Sequence, residues 1–155
     1  MAEPVESVEQ GLAVLDAHRS HFAFDDPRLV HGDLGVDRIL ISDNRVAGII
    51  DFQECSGNHP VLDLAHWELT HHHLVPTAEL LTGYQRAGPV DIATGPLFAL
   101  ALLRESLWML LVRAEQRLGH DIEVYRTSLH QQLAQFPAGT SGLPTEVEDG
   151  TTRSE

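Results

Sequence analysis

Lysine is absent from this chain, so its ten cationic residues are all arginine, against 23 aspartate and glutamate residues. The resulting net charge of −13 argues against a nucleic-acid partner, because nucleic-acid phosphates bind to cationic patches. The same charge suits a cationic small-molecule substrate, such as an aminosugar or a choline-like amine. An acidic surface is also common in proteins that bind no such ligand, so both interpretations stay open.

Cysteine and long apolar runs are scarce as well. Cys55 is the only cysteine, which excludes an internal disulfide and favours a reducing, cytoplasmic location; we expect it to be a small buried residue. The apolar runs of the helical half are shorter than a bilayer span, so we expect no membrane contact. The first residues have neither the basic nor the apolar region of a signal peptide, and we expect none.

Residues 29–51 hold most of the recognisable chemistry. They comprise a short apolar run, a His-Gly-Asp loop and two strands rich in Ile, Leu and Val, over 38–42 and 45–50. Asp43-Asn44 between the strands favours a tight turn, because both residue types tolerate left-handed backbone and form local hydrogen bonds. The pattern predicts a β-hairpin directly after the loop.

The predicted hairpin should bring two acidic residues together, because a hairpin holds its ends side by side. Asp33 comes just before its first strand, and Asp51 just after its second. Neighbouring carboxylates repel each other unless a cation or a proton lies between them. The hairpin therefore predicts a site for a metal ion and for proton transfer.

Four short motifs resemble the aminoglycoside phosphotransferase family, whose members are relatives of choline and fructosamine kinases. They are His31-Gly32-Asp33-Leu34, Ile39-Leu40-Ile41, Ile49-Ile50-Asp51-Phe52 and Asp63-Leu64-Ala65. His-Gly-Asp alone is a weak signal, but the set in this order and spacing is specific. The resemblance implies the C-terminal lobe of a protein-kinase-like fold, an α+β and mostly helical structure in which a small β-hairpin carries the catalytic loop.

The resemblance also implies an activity and two reacting positions. The family transfers a phosphoryl group from ATP or GTP, with Mg²⁺, to a hydroxyl group of a small-molecule substrate. Asp33 matches the catalytic aspartate that accepts the hydroxyl proton, and Asp51 matches the aspartate that holds Mg²⁺ on the nucleotide phosphates.

Four further residues receive supporting roles from the same resemblance. Leu40 and Ile50 match positions that line the adenine pocket of the nucleotide site. His31 and Asp63 match structural residues that brace the catalytic loop.

The chain departs from the family pattern at Arg38. The family has an asparagine there, five residues after the catalytic aspartate, as the second metal ligand. A guanidinium has five N–H donors, no acceptor and a permanent charge, so Arg38 cannot bind magnesium. It could instead pair with Asp51 or with phosphate oxygens.

The rest of the chain reads as helices, and we predict them over 4–20, 61–73, 76–87, 95–118 and 121–136. We assign residues 1–136 to a partial kinase-like C-lobe and 137–155, which are rich in Gly, Ser, Thr, Pro and acidic residues, to a disordered acidic tail. The chain has no glycine-rich phosphate loop and no lysine to position phosphates. An N-lobe from elsewhere, or a second copy of the chain, is the partner that such a lobe requires.

Three functions therefore compete. The first is a phosphotransferase C-lobe that is inactive without an N-lobe. The second is a catalytically dead, pseudokinase-like binding or scaffold module, which Arg38 favours. The third is a metal-dependent hydrolase with His31, Asp33, Asp51 and His59 as ligands.

Overall fold

A computed structural model describes residues 4–23, 25–87, 95–116 and 119–136. Within these ranges the chain forms five α-helices, which are α1 (Pro4–Ala17), α2 (Val61–Thr70), α3 (Thr77–Ala87), α4 (Pro96–Glu115) and α5 (Gly119–Leu133). Four short strands accompany them: β1 (Arg28–Val30), β2 (Ile39–Ser42), β3 (Arg45–Ile49) and β4 (Ser56–Asn58). The predicted tail over 137–155 lies outside the described residues.

The helices pack around two apolar clusters that share α4. The first joins β1 and α2 to α4, through Val30, Val61, Leu62, Ala65, Ala101 and Leu102. The second joins α4 to α5, through Ala99, Leu100, Leu103, Leu129, Leu133 and Phe136, with α1 packed against it. Since α4 contributes to both clusters, it is buried on most sides, as its nearly continuous apolar sequence predicts.

Helix α2 ends three residues before the predicted position. It stops at Thr70, and the N–H of His71 bonds to the carbonyl of Trp67 at 2.7 Å. The first helix also stops early, at Ala17, and gives way to a short 3₁₀ turn over Arg19–Phe22. These differences concern helix ends, where the last turn commonly changes character.

The predicted hairpin is confirmed. Strands β2 and β3 are antiparallel, and the turn residues Asp43 and Asn44 have φ angles of 50° and 60°. An irregularity between Leu40 and Ile41 interrupts the register. A backbone bond from Ile50 to the carbonyl of Arg38, at 3.0 Å, closes the open end of the hairpin.

The segment between Asp51 and Pro60, over which the sequence predicts neither a helix nor a strand, contains regular structure. That segment contains a 3₁₀ turn over Phe52–Glu54 and then β4, which pairs antiparallel with β1. Ser56, Gly57 and Asn58 carry no apolar alternation, so backbone pairing alone makes this strand. Cys55 between the two is exposed, so its prediction as a buried residue was wrong.

Among the helices that the structure describes, none combines the length and the apolar character needed to cross a membrane.

Candidate active site

The loop over residues 31–33 is held by Asp63 at the start of α2. The backbone N–H groups of His31 and Gly32 donate to the two oxygens of the Asp63 carboxylate, each at 2.9 Å. Asp63 is only 2% exposed, and this burial raises the pKa of its carboxyl, while the two N–H donors oppose the rise. These bonds fix the loop to the helical core.

The His31 ring ties the same loop to the end of the hairpin. Its Nε2 donates to the carbonyl of Ile50 at 2.9 Å, and its Nδ1 accepts from the N–H of Asp33 at 3.3 Å. Because Nδ1 accepts, Nε2 carries the hydrogen in this arrangement. The ring also packs against Phe52, with 4.6 Å between centroids. The His31 ring thereby links the backbone of Asp33 to Ile50, directly after the end of β3.

Gly32 is required by the shape of the loop. Its φ of 85° lies in the left-handed region, which residues other than glycine adopt only at an energetic cost. A Cβ at this position would lie 2.3 Å from the carbonyl oxygen of Glu54. The glycine therefore allows the loop and the 3₁₀ turn after Asp51 to approach each other.

Arg38 joins the acidic residues that the hairpin brings together. Its guanidinium bonds to Asp33 and to Asp37, and its Nε lies 3.9 Å from Oδ2 of Asp51. The hydrogen bond from Arg38 holds the pKa of the exposed Asp37 carboxyl below its usual value. The hairpin thus brings Asp33 and Asp51 to one place, as predicted, and both carboxylates lie against the guanidinium of Arg38.

Asp51 itself lies in a left-handed backbone conformation, with φ 67° and ψ 57°, at the start of the turn over Phe52–Glu54. Its side chain is 45% exposed. The carboxylate is therefore open to solvent or to a ligand on the side that Arg38 does not occupy.

The residues around Asp51 do not fit a magnesium ion as they stand. In the described part of the chain, no group of three or more His, Cys, Asp or Glu side chains could hold a metal. Arg38 supplies positive charge where the family has a ligand oxygen, and magnesium prefers oxygen ligands in octahedral geometry. The hydrolase alternative also needs such a group, and the described residues give it no support.

His66 is a member of the site that none of the sequence motifs includes. It lies on α2, is 5% exposed, and places Nε2 at 3.2 Å from Oδ1 of Asp33. Its Nδ1 lies 3.6 Å from Oε2 of the buried Glu105 on α4. No local signal could have found these contacts, since they join residues far apart in the sequence.

Two cavities, of about 290 and about 680 Å³, open beside Asp33. Both are lined by Asp33, Arg38, His66, Met109 and Arg113. The smaller adds Glu54 and Trp108, and the larger adds Asp37, the three histidines 71–73 and Tyr125. A third cavity of about 620 Å³ between α2 and α5 contains none of the five shared residues.

Three buried polar atoms in these cavity walls lack a hydrogen-bond partner within the described part of the chain. They are Nε of Arg38, Nδ1 of His66 and Nε of Arg113. Buried polar groups are nearly always paired in native proteins, so such a cluster is expected where a ligand completes the site.

An exposed apolar strip runs along the hairpin beside the site. Leu40, Ile50 and Phe52 are 47%, 45% and 42% exposed, so this face of the hairpin meets solvent. Ile41, Val46 and Ile49 extend the strip. The assignment of Leu40 and Ile50 to an adenine pocket stays a prediction.

Comparison with known proteins gives a family match and several structural matches. A model of the phosphotransferase enzyme family matches residues 2–93. A thermostable mutant of aminoglycoside phosphotransferase APH(4)-Ia in its apo form matches with a TM-score of 0.71, at 22% identity, over 90% of this chain and 47% of that chain. A ternary complex of a further variant of that mutant, with AMP-PNP and hygromycin B, matches with a TM-score of 0.71 at 23% identity, over 90% of this chain and 47% of that chain.

The structure of APH(4)-Ia without the thermostabilising changes matches with a TM-score of 0.70, at 20% identity, over 86% of this chain and 45% of that one. The chain thus spans about half the length of the structures it matches. The comparison with curated proteins found no match. The structural matches confirm the predicted fold class, a mostly helical part of a kinase-like fold.

Proposed function

Because the chain belongs to the phosphotransferase enzyme family, we propose that it is the substrate-binding, base-carrying lobe of an ATP- or GTP-dependent small-molecule kinase. In this reaction the γ-phosphoryl group of the nucleotide passes to a substrate hydroxyl, and Asp33 accepts the hydroxyl proton. One observation supports this role most directly. Asp33 stands on a loop fixed by the Asp63 and His31 contacts, and it lines both cavities.

The acceptor substrate that we propose is a small cationic molecule such as an aminosugar. Asp33 and Glu54 line the smaller cavity, and Asp33 and Asp37 line the larger one. Arg38 and Arg113 line both cavities as well, so the carboxylates, and not the cavities as a whole, are the groups that would meet a cation. The chain as a whole carries a net charge of −13, which attracts cations. A related enzyme of the same fold has been crystallised with hygromycin B, an aminoglycoside, which agrees with this substrate class.

The nucleotide would bind beside the hairpin, with Leu40 and Ile50 as apolar contacts for its base. The same related structure holds AMP-PNP, an ATP analogue. Exposed aliphatic side chains suit the flat, apolar faces of a purine. Since Arg38 displaces the expected metal ligand, no step of our proposal passes through Mg²⁺, and Asp51 remains only a candidate metal-facing carboxylate.

We further propose that turnover requires a second lobe. The 155 residues contain no lysine, and the family uses a lysine to position the nucleotide phosphates. The group would have to come from an N-lobe or from a partner chain. We also expect the assembled enzyme to work in the cytoplasm, because the single exposed Cys55 needs no oxidising compartment.

Calorimetric titration with hygromycin B tests the proposed role of Asp33. We expect the chain to bind this acceptor, and we expect Asp33→Asn to weaken binding by about tenfold, or about 1.4 kcal/mol. Asp43→Asn in the exposed hairpin turn is the matched control and should leave binding unchanged. Equal affinity of all three proteins would contradict the proposal.

The requirement for a second lobe predicts that the purified chain consumes no ATP in the presence of acceptor. Without a lysine the γ-phosphoryl group is neither positioned nor neutralised, and each such contribution is worth orders of magnitude in rate. Finding ATP consumption that disappears in Asp33→Asn would show that the lobe is active alone.

The apolar strip provides a separate test for the partner. Covering exposed apolar surface is favourable by about 25 cal/mol per Å², and contiguous apolar patches are uncommon on monomers. We therefore expect the chain to self-associate, or to bind an N-lobe, through Leu40 and its exposed apolar neighbours on the hairpin. Sedimentation should show association that Leu40→Glu abolishes, whereas a monomer in both cases would remove the argument for this surface.

The contact of Arg38 with Asp33, and the approach of Arg38 to Asp51, favour one alternative function. In this alternative the chain is a catalytically dead binding module. Such a module would bind nucleotide and acceptor but would stay inactive when an N-lobe is supplied. If Arg38→Asn then restored turnover, the loss of activity would be traced to this residue.

A further inference from the structure

Trp108 is half exposed on a helix that is otherwise largely buried. It is 46% exposed, whereas Ser106 and Met109, its near neighbours on α4, are 0% and 6% exposed. Trp108 lines the smaller cavity beside Asp33 and also a side cavity of about 170 Å³. A large aromatic side chain that borders two cavities next to the proposed base is in a position to contact a ligand.

Glu54 borders the same two cavities as Trp108, together with Gly32. Glu54 ends the short turn over Phe52–Glu54, and this turn lies tightly against the loop that carries Asp33. A Cβ at Gly32 would lie 2.3 Å from the carbonyl oxygen of Glu54 and 3.1 Å from its Cβ. The Glu54 side chain therefore starts from a fixed point beside the loop.

The Glu54 carboxylate is available to a cation. Of the residues that the structure describes, none forms an ion pair or a hydrogen bond with it. The arginines in the walls of the two cavities are each directed to another part of the chain: Arg38 to Asp33 and Asp37, Arg104 to Glu105, and Arg113 to the ring of Tyr125. Glu54 thus supplies a negative charge that its own surroundings do not neutralise.

An aromatic face beside such a carboxylate suits an organic ammonium group. The face of an indole attracts a cation that lies within about 6 Å of the ring centroid, and a carboxylate accepts the hydrogen bonds that an ammonium group donates. In the described part of the chain, no other ring and no arginine packs on Trp108. The chemistry of the pair therefore selects a protonated amine over a neutral or anionic group.

We propose that Trp108 and Glu54 form a subsite for a protonated amino group of the acceptor and determine which acceptors are used. The proposal rests on the proposed function, in which Asp33 is the base and lines the smaller cavity with both residues. When the amino group lies against the indole, the choice of the hydroxyl that meets Asp33 is restricted. Sugars with a ring amine are thereby selected over sugars that carry only hydroxyl groups.

The indole N–H signals of the ¹⁵N-labelled chain, recorded by NMR, report directly on this subsite. Trp67 donates its indole N–H to the carbonyl of Val75 at 2.8 Å and serves as the reference signal. At about pH 6 the amino group of glucosamine is protonated, so glucosamine should shift the Trp108 signal. Glucose, which has a hydroxyl group in place of the amine, should shift it much less, and both sugars should leave the Trp67 signal in place.

Calorimetric titration with hygromycin B measures what each member of the pair contributes. Trp108→Leu removes the aromatic face and should weaken binding by about 2- to 30-fold, the range that cation–π attraction gives. Trp108→Phe keeps a smaller aromatic face and should weaken binding less. Glu54→Gln removes a charge at an exposed position and should weaken binding by about 1.5- to 5-fold.

Two variants of α4 are matched controls, since neither residue lines the two cavities. Leu111→Ala truncates an exposed apolar side chain, and Glu115→Gln removes an exposed acid. Both should leave hygromycin B affinity unchanged. Trp108 and Glu54 are themselves exposed, so we expect their variants to fold, and urea unfolding checks this.

Two results would overturn the proposal: Trp108 signals that respond equally to glucosamine and glucose, or hygromycin B affinity that neither Trp108→Leu nor Glu54→Gln changes. If Trp108→Leu weakens binding and Asp33→Asn does not, the subsite stands and the assignment of the base fails. The reverse pair of results would keep the base and refute the subsite. A chain that does not bind hygromycin B would contradict the proposed function, and the glucosamine titration would then decide the subsite alone.

Discussion

Helix α2 and the β2–β3 hairpin use the same kinds of side chain and bury them in opposite ways. Residues Val61–Trp67 of α2 are buried without interruption. In the hairpin, which is described throughout, no residue of Ile39–Ile49 is buried, and Leu40, Ile41 and Val46 are exposed. An apolar sequence therefore specifies the element in both regions, but it does not say whether another surface of the chain covers that element.

The active-site candidates lie where these two regions meet. The helix contributes Asp63 and His66, and the hairpin contributes Arg38 and the carbonyl of Ile50. The loop with Asp33 is fixed from the buried side and open toward the hairpin side. A rigid support with an uncovered face is what a lobe that needs a partner would present.

The largest change in stability is expected from a test of this contrast that replaces one leucine in each region. Leu64→Ala in α2 should destabilise the fold by about 2 to 5 kcal/mol, because it opens a cavity in a closely packed core. Leu40→Ala in the hairpin should cost at most about 0.5 kcal/mol, as an exposed substitution does. Urea unfolding measures both, and equal losses would mean that the hairpin is covered in solution.

Gly32→Ala tests the loop that joins the two regions. The positive φ and the 2.3 Å approach to the Glu54 carbonyl should make it cost about 1 to 3 kcal/mol. Gly83→Ala is the control, since its Cβ would have nothing within 4 Å on α3, and it should stabilise the chain by about 0.5 to 1 kcal/mol. If both substitutions were neutral, the loop would be free to change shape.

Arg38→Asn tests whether the Arg38 side chain alone prevents a metal ion from binding at the end of the hairpin. The change removes the guanidinium between Asp33 and Asp51 and adds an oxygen ligand. Magnesium affinity in a titration should rise by about tenfold, or about 1.4 kcal/mol. Arg45→Asn at the exposed start of β3 is the control, and equal affinities in both variants would show that Arg38 does not control the metal site.

The smallest effect concerns the pH dependence of stability that His71, directly after α2, produces. Burial lowers the pKa of His71 below 6.5, while Asp37 opposes that change. Because the folded-state value is the lower one, the unfolded chain takes up the proton first, and stability is lost as pH falls through this range. His71→Gln should reduce the difference in urea stability between about pH 7.5 and about pH 5.5. His21→Gln, at an exposed position outside the groups that act on His71, should leave that difference unchanged.

The sequence predicted those parts of the site that depend on local pattern. The turn at Asp43-Asn44, the hairpin, and the convergence of Asp33 with Asp51 all follow from spacing and turn chemistry. Strand β4 escaped prediction because its three residues have no side-chain periodicity to read. The helix end at Thr70 was missed because the helical pattern runs on through residue 73.

His66 and Glu105 were beyond sequence reasoning for a different reason. Each sits on a helix whose local pattern marks it as one polar residue in a buried stretch. Their contacts depend on how α2 and α4 pack against the loop, which is a property of the assembled fold. Arg38 lies between these cases, since its departure from the family and a pairing with Asp51 were considered from the sequence, whereas its contacts with Asp33 and Asp37 were not.

The unequal burial of the two tryptophans makes the protein its own optical probe. Trp67 is 2% exposed and donates to the carbonyl of Val75 at 2.8 Å, whereas Trp108 is 46% exposed and lines the smaller cavity. An external quencher would therefore dim Trp108 and spare Trp67. A ligand that fills the cavity would shield Trp108, so emission from one indole reports occupancy while the other serves as a constant internal reference.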